Sequence, residues 1–95
     1  MKTHEEYMEL ALEEARKAEE IDEVPVGCVI VCDGEVISRG HNLKEQLNQA
    51  YAHAEMMAIQ KAAEIKGNWC LNDCDLYVTL EPCMMCTGTI NLSRI

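Results

Sequence analysis

Cys83 and Cys86 stand three residues apart directly after Pro82. A proline suits the first turn of a helix, so both sulfurs fall on one face of that turn and converge on one point. Free amides and the positive dipole end at a helix start lower a thiol pKa, and zinc binds thiolate rather than thiol. The pair therefore makes two good metal ligands. A strand leading into Cys-x-x-Cys at a helix start is also the arrangement of a thioredoxin-like redox site, so the spacing alone leaves both chemistries open.

His53-Ala54-Glu55 breaks the tie. Within a regular helix, residues two apart point about 200° away from each other and cannot serve one site. At a helix start the constraint relaxes, and the ring of His53 can reach a metal while Glu55 projects beside it. Taken singly, a histidine is commonly a hydrogen-bonded core residue, and a glutamate at a helix start answers the dipole. Together with the cysteine pair, His53, Cys83 and Cys86 make three protein ligands for one Zn2+ and leave one coordination position open, as in catalytic sites. Glu55 then acts as the proton carrier rather than as a ligand. Zinc lowers the pKa of a bound water to about 7, and a carboxylate in reach passes its proton to a ring nitrogen and then to a leaving amine. That chemistry is hydrolytic deamination, and His-x-Glu followed by Pro-Cys-x-x-Cys is the signature of the zinc nucleobase deaminases.

The remaining cysteines invite a second site and do not support one by spacing. Cys28 and Cys32 fall on one face of a strand roughly 13 Å apart, too far to share a metal, and are read as small core residues. Cys70 and Cys74 bracket a loop and are read as buried or incidental thiols. His4 and His41 have no evident partners.

These groups need particular elements to hold them. Thr3 followed by Glu6 forms a capping box, and Met8, Ala11, Leu12, Ala15 and Ala18 recur at helical spacing, which predicts a helix from about residue 4 to 20. Its wet side is expected to carry Glu5, Glu6, Glu13, Glu14, Glu19 and Glu20. Val26 to Cys32, Asp33-Gly34 and Glu35 to Arg39 read as strand, two-residue turn and strand. Gly40 to Ala50 lacks periodicity and reads as a loop. Ala52 to Lys66 is a second helix ending at Gly67, Asn68 to Cys74 a loop, Asp75 to Leu80 a buried-type strand, and Pro82 opens a helix toward Ser93. The order predicts an α/β sandwich with helices covering a central sheet.

The chain has 95 residues, 48% of them hydrophobic, which suits a single domain over 1–95 with a real core. With no Phe and four other aromatics, that core is expected to use Val, Ile, Leu, Met and Ala. No apolar run approaches the ~20 residues that span a bilayer, and the acidic N-terminus is unlike a signal peptide, so a soluble, cytoplasmic protein is expected. In a reducing compartment six cysteines point to thiols or metal ligands rather than disulfides. The net charge of −9, with eight scattered Lys and Arg, provides no phosphate-binding track. The chain stops at Arg94-Ile95, where the alternation calls for another strand, so a cut C-terminus is expected.

Beyond the signature, Val24-Pro25-Val26-Gly27, Gly40-His41-Asn42, Ala52-His53-Ala54-Glu55-Met56 and Leu76-Tyr77-Val78-Thr79-Leu80-Glu81-Pro82-Cys83 together closely resemble the bacterial tRNA-specific adenosine deaminases of the cytidine deaminase-like superfamily. The resemblance runs over nearly the whole chain. It implies a three-layer α/β/α sandwich whose last strands and C-terminal helix are missing here. It also implies deamination of adenosine to inosine at the wobble position of a tRNA anticodon loop, usually by a homodimer. By the same resemblance Asn42 contacts the flipped base, and the backbone around Ala54 and Cys83 lines the pocket. Two alternatives stay open: a deaminase of a free base or nucleoside such as guanine or cytosine, which suits the acidic charge, and a non-catalytic zinc or redox module, which has no use for Glu55.

Overall fold

Thr3 begins the first helix as its sequence predicts. In the computed structural model, which describes residues 2–95, the Thr3 Oγ1 accepts from the Glu6 amide at 3.2 Å and the Thr3 amide donates to Glu6 Oε1 at 3.1 Å. Such a cap is worth about 1 kcal/mol. The helix, α1, covers His4–Glu20. Its buried face is Tyr7, Ala11, Glu14, Ala15 and Ala18, rotated from the expected stripe, and Leu12 is exposed. Glu14 therefore corrects the reading of a wholly wet acidic side. Its carboxylate is buried because it accepts from Lys17 Nζ at 2.6 Å and pairs with His41 Nδ1 at 3.0 Å. Burial pushes the Glu14 pKa up, but the bonds from Lys17 and His41 outweigh it and hold the carboxyl below its ordinary value.

A hairpin follows, with β1 over Gly27–Cys32 and β2 over Glu35–His41. Asp33 and Gly34 both take positive φ, 51° and 80°, as a type I′ turn requires. The strand pairing shifts between Ile30↔Ser38 and Val31↔Val36, so Ile37 is an extra residue on β2, a bulge. The second strand runs two residues past the expected Arg39. Beyond it lies a short helix, α2, over Lys44–Leu47, inside the segment read as a loop. No local residue signals it, because its cap comes from elsewhere: the buried Glu23 carboxylate accepts from the amides of Glu45 at 3.1 Å and Gln46 at 2.7 Å.

The third long element, α3, covers Ala54–Lys66 and ends at Gly67 in the left-handed region, φ 66°. Strand β3 covers Cys74–Val78 and helix α4 covers Met84–Leu92. The sheet is antiparallel in the order β2-β1-β3. Strand β1 is buried at every position because it faces helices on both sides. Cys28, Ile30 and Cys32 pack with Ala54, Ala58 and Ala62 of α3, while Val29 and Val31 pack with Tyr7 and Ala11 of α1. The expected α/β/α layering is present, with α1 on one face and α3 on the other, α4 packing on α3. Strand β3 is an edge strand among the described residues and is only half-buried after Cys74, unlike the buried strand expected.

Two glycines set how closely the helices approach. A Cβ on Gly27 would lie 1.9 Å from the Ala11 carbonyl oxygen, and one on Gly40 would lie 2.4 Å from the Ala54 carbonyl oxygen. Gly27 thus seats α1, and Gly40 seats the first turn of α3. The core is built of Ala, Cys, Val and Ile with Tyr7 and Leu71, and among the described residues no methionine is fully part of it. No helix of the described residues is long and apolar enough to cross a membrane.

Candidate metal centre

Two helix starts face each other. His53 is the N-cap of α3 with extended backbone, φ −80° and ψ 158°, and Cys83 is the N-cap of α4, φ −72° and ψ 175°. Pro82 therefore stands just before the cap, not within the first turn as expected, and aims the chain into the helix from outside. His53 Nδ1 lies 3.6 Å from Cys83 Sγ and 3.5 Å from Cys86 Sγ. A tetrahedral zinc bonded at about 2.3 Å to sulfur and about 2.0 Å to nitrogen sets N···S separations of about 3.6 Å. Both nitrogen–sulfur separations are those zinc needs, and the three donor atoms lie within 4.8 Å of one another.

The expected softening of both thiols holds for one. The backbone amide of Cys86 donates to Cys83 and holds that thiol below its ordinary value. Cys86 is instead pushed up to about 12, first by burial and then by the Glu55 carboxylate beside it. Helix-start amides do not outweigh burial at Cys86, which is fully enclosed. Glu55 also raises the buried Cys28 thiol below the site, after burial itself. Groups that would each carry negative charge are thus set close together, and a divalent cation would favour their charged forms.

Glu55 is the second residue of α3 and 4% exposed. Its carboxylate is near enough to raise the Cys86 thiol, yet it stands outside the three-atom donor group. A cavity of about 220 Å³ opens beside it, lined by Asn42, His53, Ala54, Glu55, Leu80 and Cys83 among others. Asn42 is 6% exposed, and its Oδ1 accepts from the Lys44 amide at 3.4 Å, which fixes the side chain at the rim. The structure thus brings together every residue singled out from the sequence: His53, Glu55, Cys83, Cys86, Asn42 and Ala54.

Sequence reasoning missed the apolar wall. Val24 and Leu80 are more than half exposed, yet both line the cavity, one ahead of β1 and one beyond β3. Their signal was an aliphatic residue directly before or near a proline at a strand end. It also left His4 and His41 unpartnered, whereas His4 Nδ1 bonds the Tyr77 hydroxyl and His41 bonds Glu14. Cys32 and Cys74, separated in the sequence reading, meet across β1 and β3.

Comparison with known proteins agrees with this geometry. The family described as "Cytidine and deoxycytidylate deaminase zinc-binding region" matches residues 1–95. A tRNA-specific adenosine deaminase of Streptococcus pyogenes serotype M18 is 57% identical over 89 residues, covering 94% of this chain and 56% of that protein. The chain spans about half the length of the curated relatives it matches. A solved structure from a study of A-to-I editing by tRNA deaminases at the wobble position of transfer RNA superposes with TM-score 0.93 at 53% identity, covering 96% of this chain and 70% of that one. Guanine deaminase from Bacillus subtilis superposes with TM-score 0.94 at 39% identity, covering 98% and 60%.

Proposed function

The chain belongs to the cytidine and deoxycytidylate deaminase zinc-binding family, and we propose that residues 1–95 act as the zinc deaminase domain of an enzyme converting adenosine to inosine at the wobble position of tRNA. The observation that carries the reading is the 3.5–3.6 Å spacing of His53 Nδ1 from two sulfurs with a buried carboxylate beside them. His53, Cys83 and Cys86 hold the zinc. Zinc there supplies Lewis-acid activation of a water at neutral pH.

Every other part of the reaction belongs to the chain's own side chains. Glu55 accepts one proton of the attacking water and delivers it to the purine ring nitrogen, then carries the water's remaining proton to the departing amine, which leaves as ammonia as the C–N bond breaks. Its burial keeps bulk water from competing for those protons. Asn42, fixed through Oδ1, offers its amide donor to the base, and the Ala54 and Cys83 backbone with Leu80 encloses it. A tRNA anticodon loop as partner follows the relatives named above, and a homodimer in the cytoplasm completes the reading on the family resemblance drawn from the sequence.

Deamination of a free base is the second reading. It is favoured by the net charge of −9, which repels phosphate, and by the likeness to guanine deaminase. Zinc-loaded protein offered an anticodon stem-loop, adenine, guanine and cytosine separates the two. Inosine in the stem-loop supports wobble deamination, and ammonia from a free base alone replaces it with the second reading.

A further inference from the structure

The ladder between β1 and β3 fixes how Cys32 and Cys74 face each other. The Thr79 amide donates to the Gly27 carbonyl at 3.1 Å, so Gly27 and Thr79 form a hydrogen-bonded pair. Pair types alternate along an antiparallel ladder, and five steps on, Cys32↔Cys74 is a non-hydrogen-bonded pair. The β2 side agrees, since the Asn42 amide donates to the Val26 carbonyl and the bonding direction then alternates along β1. Non-hydrogen-bonded partners have Cα atoms about 4.5 Å apart, within the span that a disulfide bridges. The two sulfurs and an Asp73 carboxylate oxygen all lie within 4.8 Å of one another.

A built-in cation completes this group. Lys66 Nζ donates to Asp73 Oδ2 at 2.5 Å and lies 3.4 Å from Cys32 Sγ. Asp73 reaches both sulfurs, at 3.3 Å from Cys32 and 3.5 Å from Cys74. Lys66 already occupies the place where a metal ion would balance these charges, and Asp73 is drawn down to about 2, first by Lys66. A metal must displace that ion pair. A bond between the two sulfurs leaves it intact. Burial and then Asp73 push the Cys74 thiol up to about 12; Asp73 lies as near to Cys32, which differs in having the Lys66 ammonium 3.4 Å away.

We propose that Cys32 and Cys74 are a redox modification site, separate from the zinc centre, at which hydrogen peroxide converts the two thiols into a cross-strand disulfide. Cys32 gives up its proton to solvent as its sulfur attacks one peroxide oxygen, with the Lys66 ammonium 3.4 Å away to meet the developing charge. A sulfur–oxygen bond forms, the oxygen–oxygen bond breaks, and the leaving hydroxide takes up a proton as water. Cys74 sulfur then attacks Cys32 sulfur, the sulfur–oxygen bond breaks, and the second hydroxide takes the Cys74 proton. Two thiols are oxidised by two electrons and one peroxide becomes two waters. The new bond pins the hairpin end of β1 to the start of β3.

The test treats zinc-loaded protein with hydrogen peroxide, alkylates the remaining thiols and maps the fragments by mass. The expected result is a linked Cys32–Cys74 fragment two hydrogens lighter than its parts, reversed by dithiothreitol. Lys66→Met is expected to slow its formation at least about threefold, since a unit charge at this range is worth that and more. In Cys74→Ser, Cys32 is expected to stop at a sulfenic acid that dimedone traps. Free, alkylated Cys32 and Cys74 after peroxide is consumed, or linkage of either to Cys70, overturns the proposal. An unchanged rate in Lys66→Met overturns the part given to Lys66.

Discussion

His53 Nδ1 and Cys86 Sγ stand 3.5 Å apart although 33 residues of chain separate them, because one opens α3 and the other sits in the first turn of α4. Neither helix makes the site alone. Metal analysis of purified protein is expected to give about one zinc per chain, and Cys86→Ser to lose most of it. Full zinc content in that variant would show that the donor group lies elsewhere.

Glu55 stands outside the donor set, so zinc retention and catalysis should separate there. Glu55→Gln keeps shape and removes the proton carrier. Zinc content and thermal midpoint are expected to hold while deamination falls by at least ~100-fold. Loss of metal in step with activity would make Glu55 a ligand instead.

Gly27 and Gly40 meet backbone at similar closeness, yet only Gly40 abuts the zinc site. Adding a methyl at either is expected to cost roughly 2 kcal/mol or more, because a carbonyl oxygen rather than a flexible side chain must move. Gly40→Ala pushes on Ala54, next to His53, and is expected to weaken zinc binding too. Gly27→Ala pushes on α1 and leaves zinc affinity unchanged in the folded fraction. Equal zinc affinity in both variants would remove Gly40 from the positioning of the site.

Glu14 ties α1 to β2 and its carboxyl titrates below the usual 4.5. A lowered folded value means that the native state binds this proton less readily than the unfolded chain. The stabilisation is then present above 4.5 and lost as pH falls through the lowered value. Urea midpoints measured downward from pH 4.5 are expected to fall more steeply in the parent than in Glu14→Gln. Parallel curves would mean that the pairing with Lys17 and His41 contributes nothing.

Features set by local chain geometry were legible in the sequence. The capping box at Thr3, the turn at Asp33-Gly34 and the Cys83–Cys86 pair at a helix start depend on a few neighbouring residues, while the meeting of that pair with His53 was legible only through a known signature. What escaped was set across the fold. Glu14 reads as solvent-facing until His41 arrives on β2, and α2 has no visible cause until Glu23 supplies its cap. Cys86 reads as a softened thiol until Glu55 and the core close over it. Cys32 and Cys74 read as unrelated until the register of two strands, joined through a whole helix, brings them opposite each other.

The bulge at Ile37 matters for a reason of phase. A strand alternates its faces every residue, yet Ile37 packs toward α3 and Ser38 also reaches that side, its hydroxyl donating to the Ala58 carbonyl at 2.8 Å. Because two consecutive residues share a side, the alternation restarts one step late. Arg39 and His41 consequently meet Glu14 on the α1 side, and Gly40 meets α3. Uninterrupted pairing would swap those sides, driving a guanidinium into the helix that carries His53. The bulge thus absorbs the extra residue and keeps the charged positions of β2 on the α1 side, away from the helix that opens at His53. Shortening the strand by that one residue would leave the beat unchanged downstream, whereas adding one anywhere else in it would invert the strand.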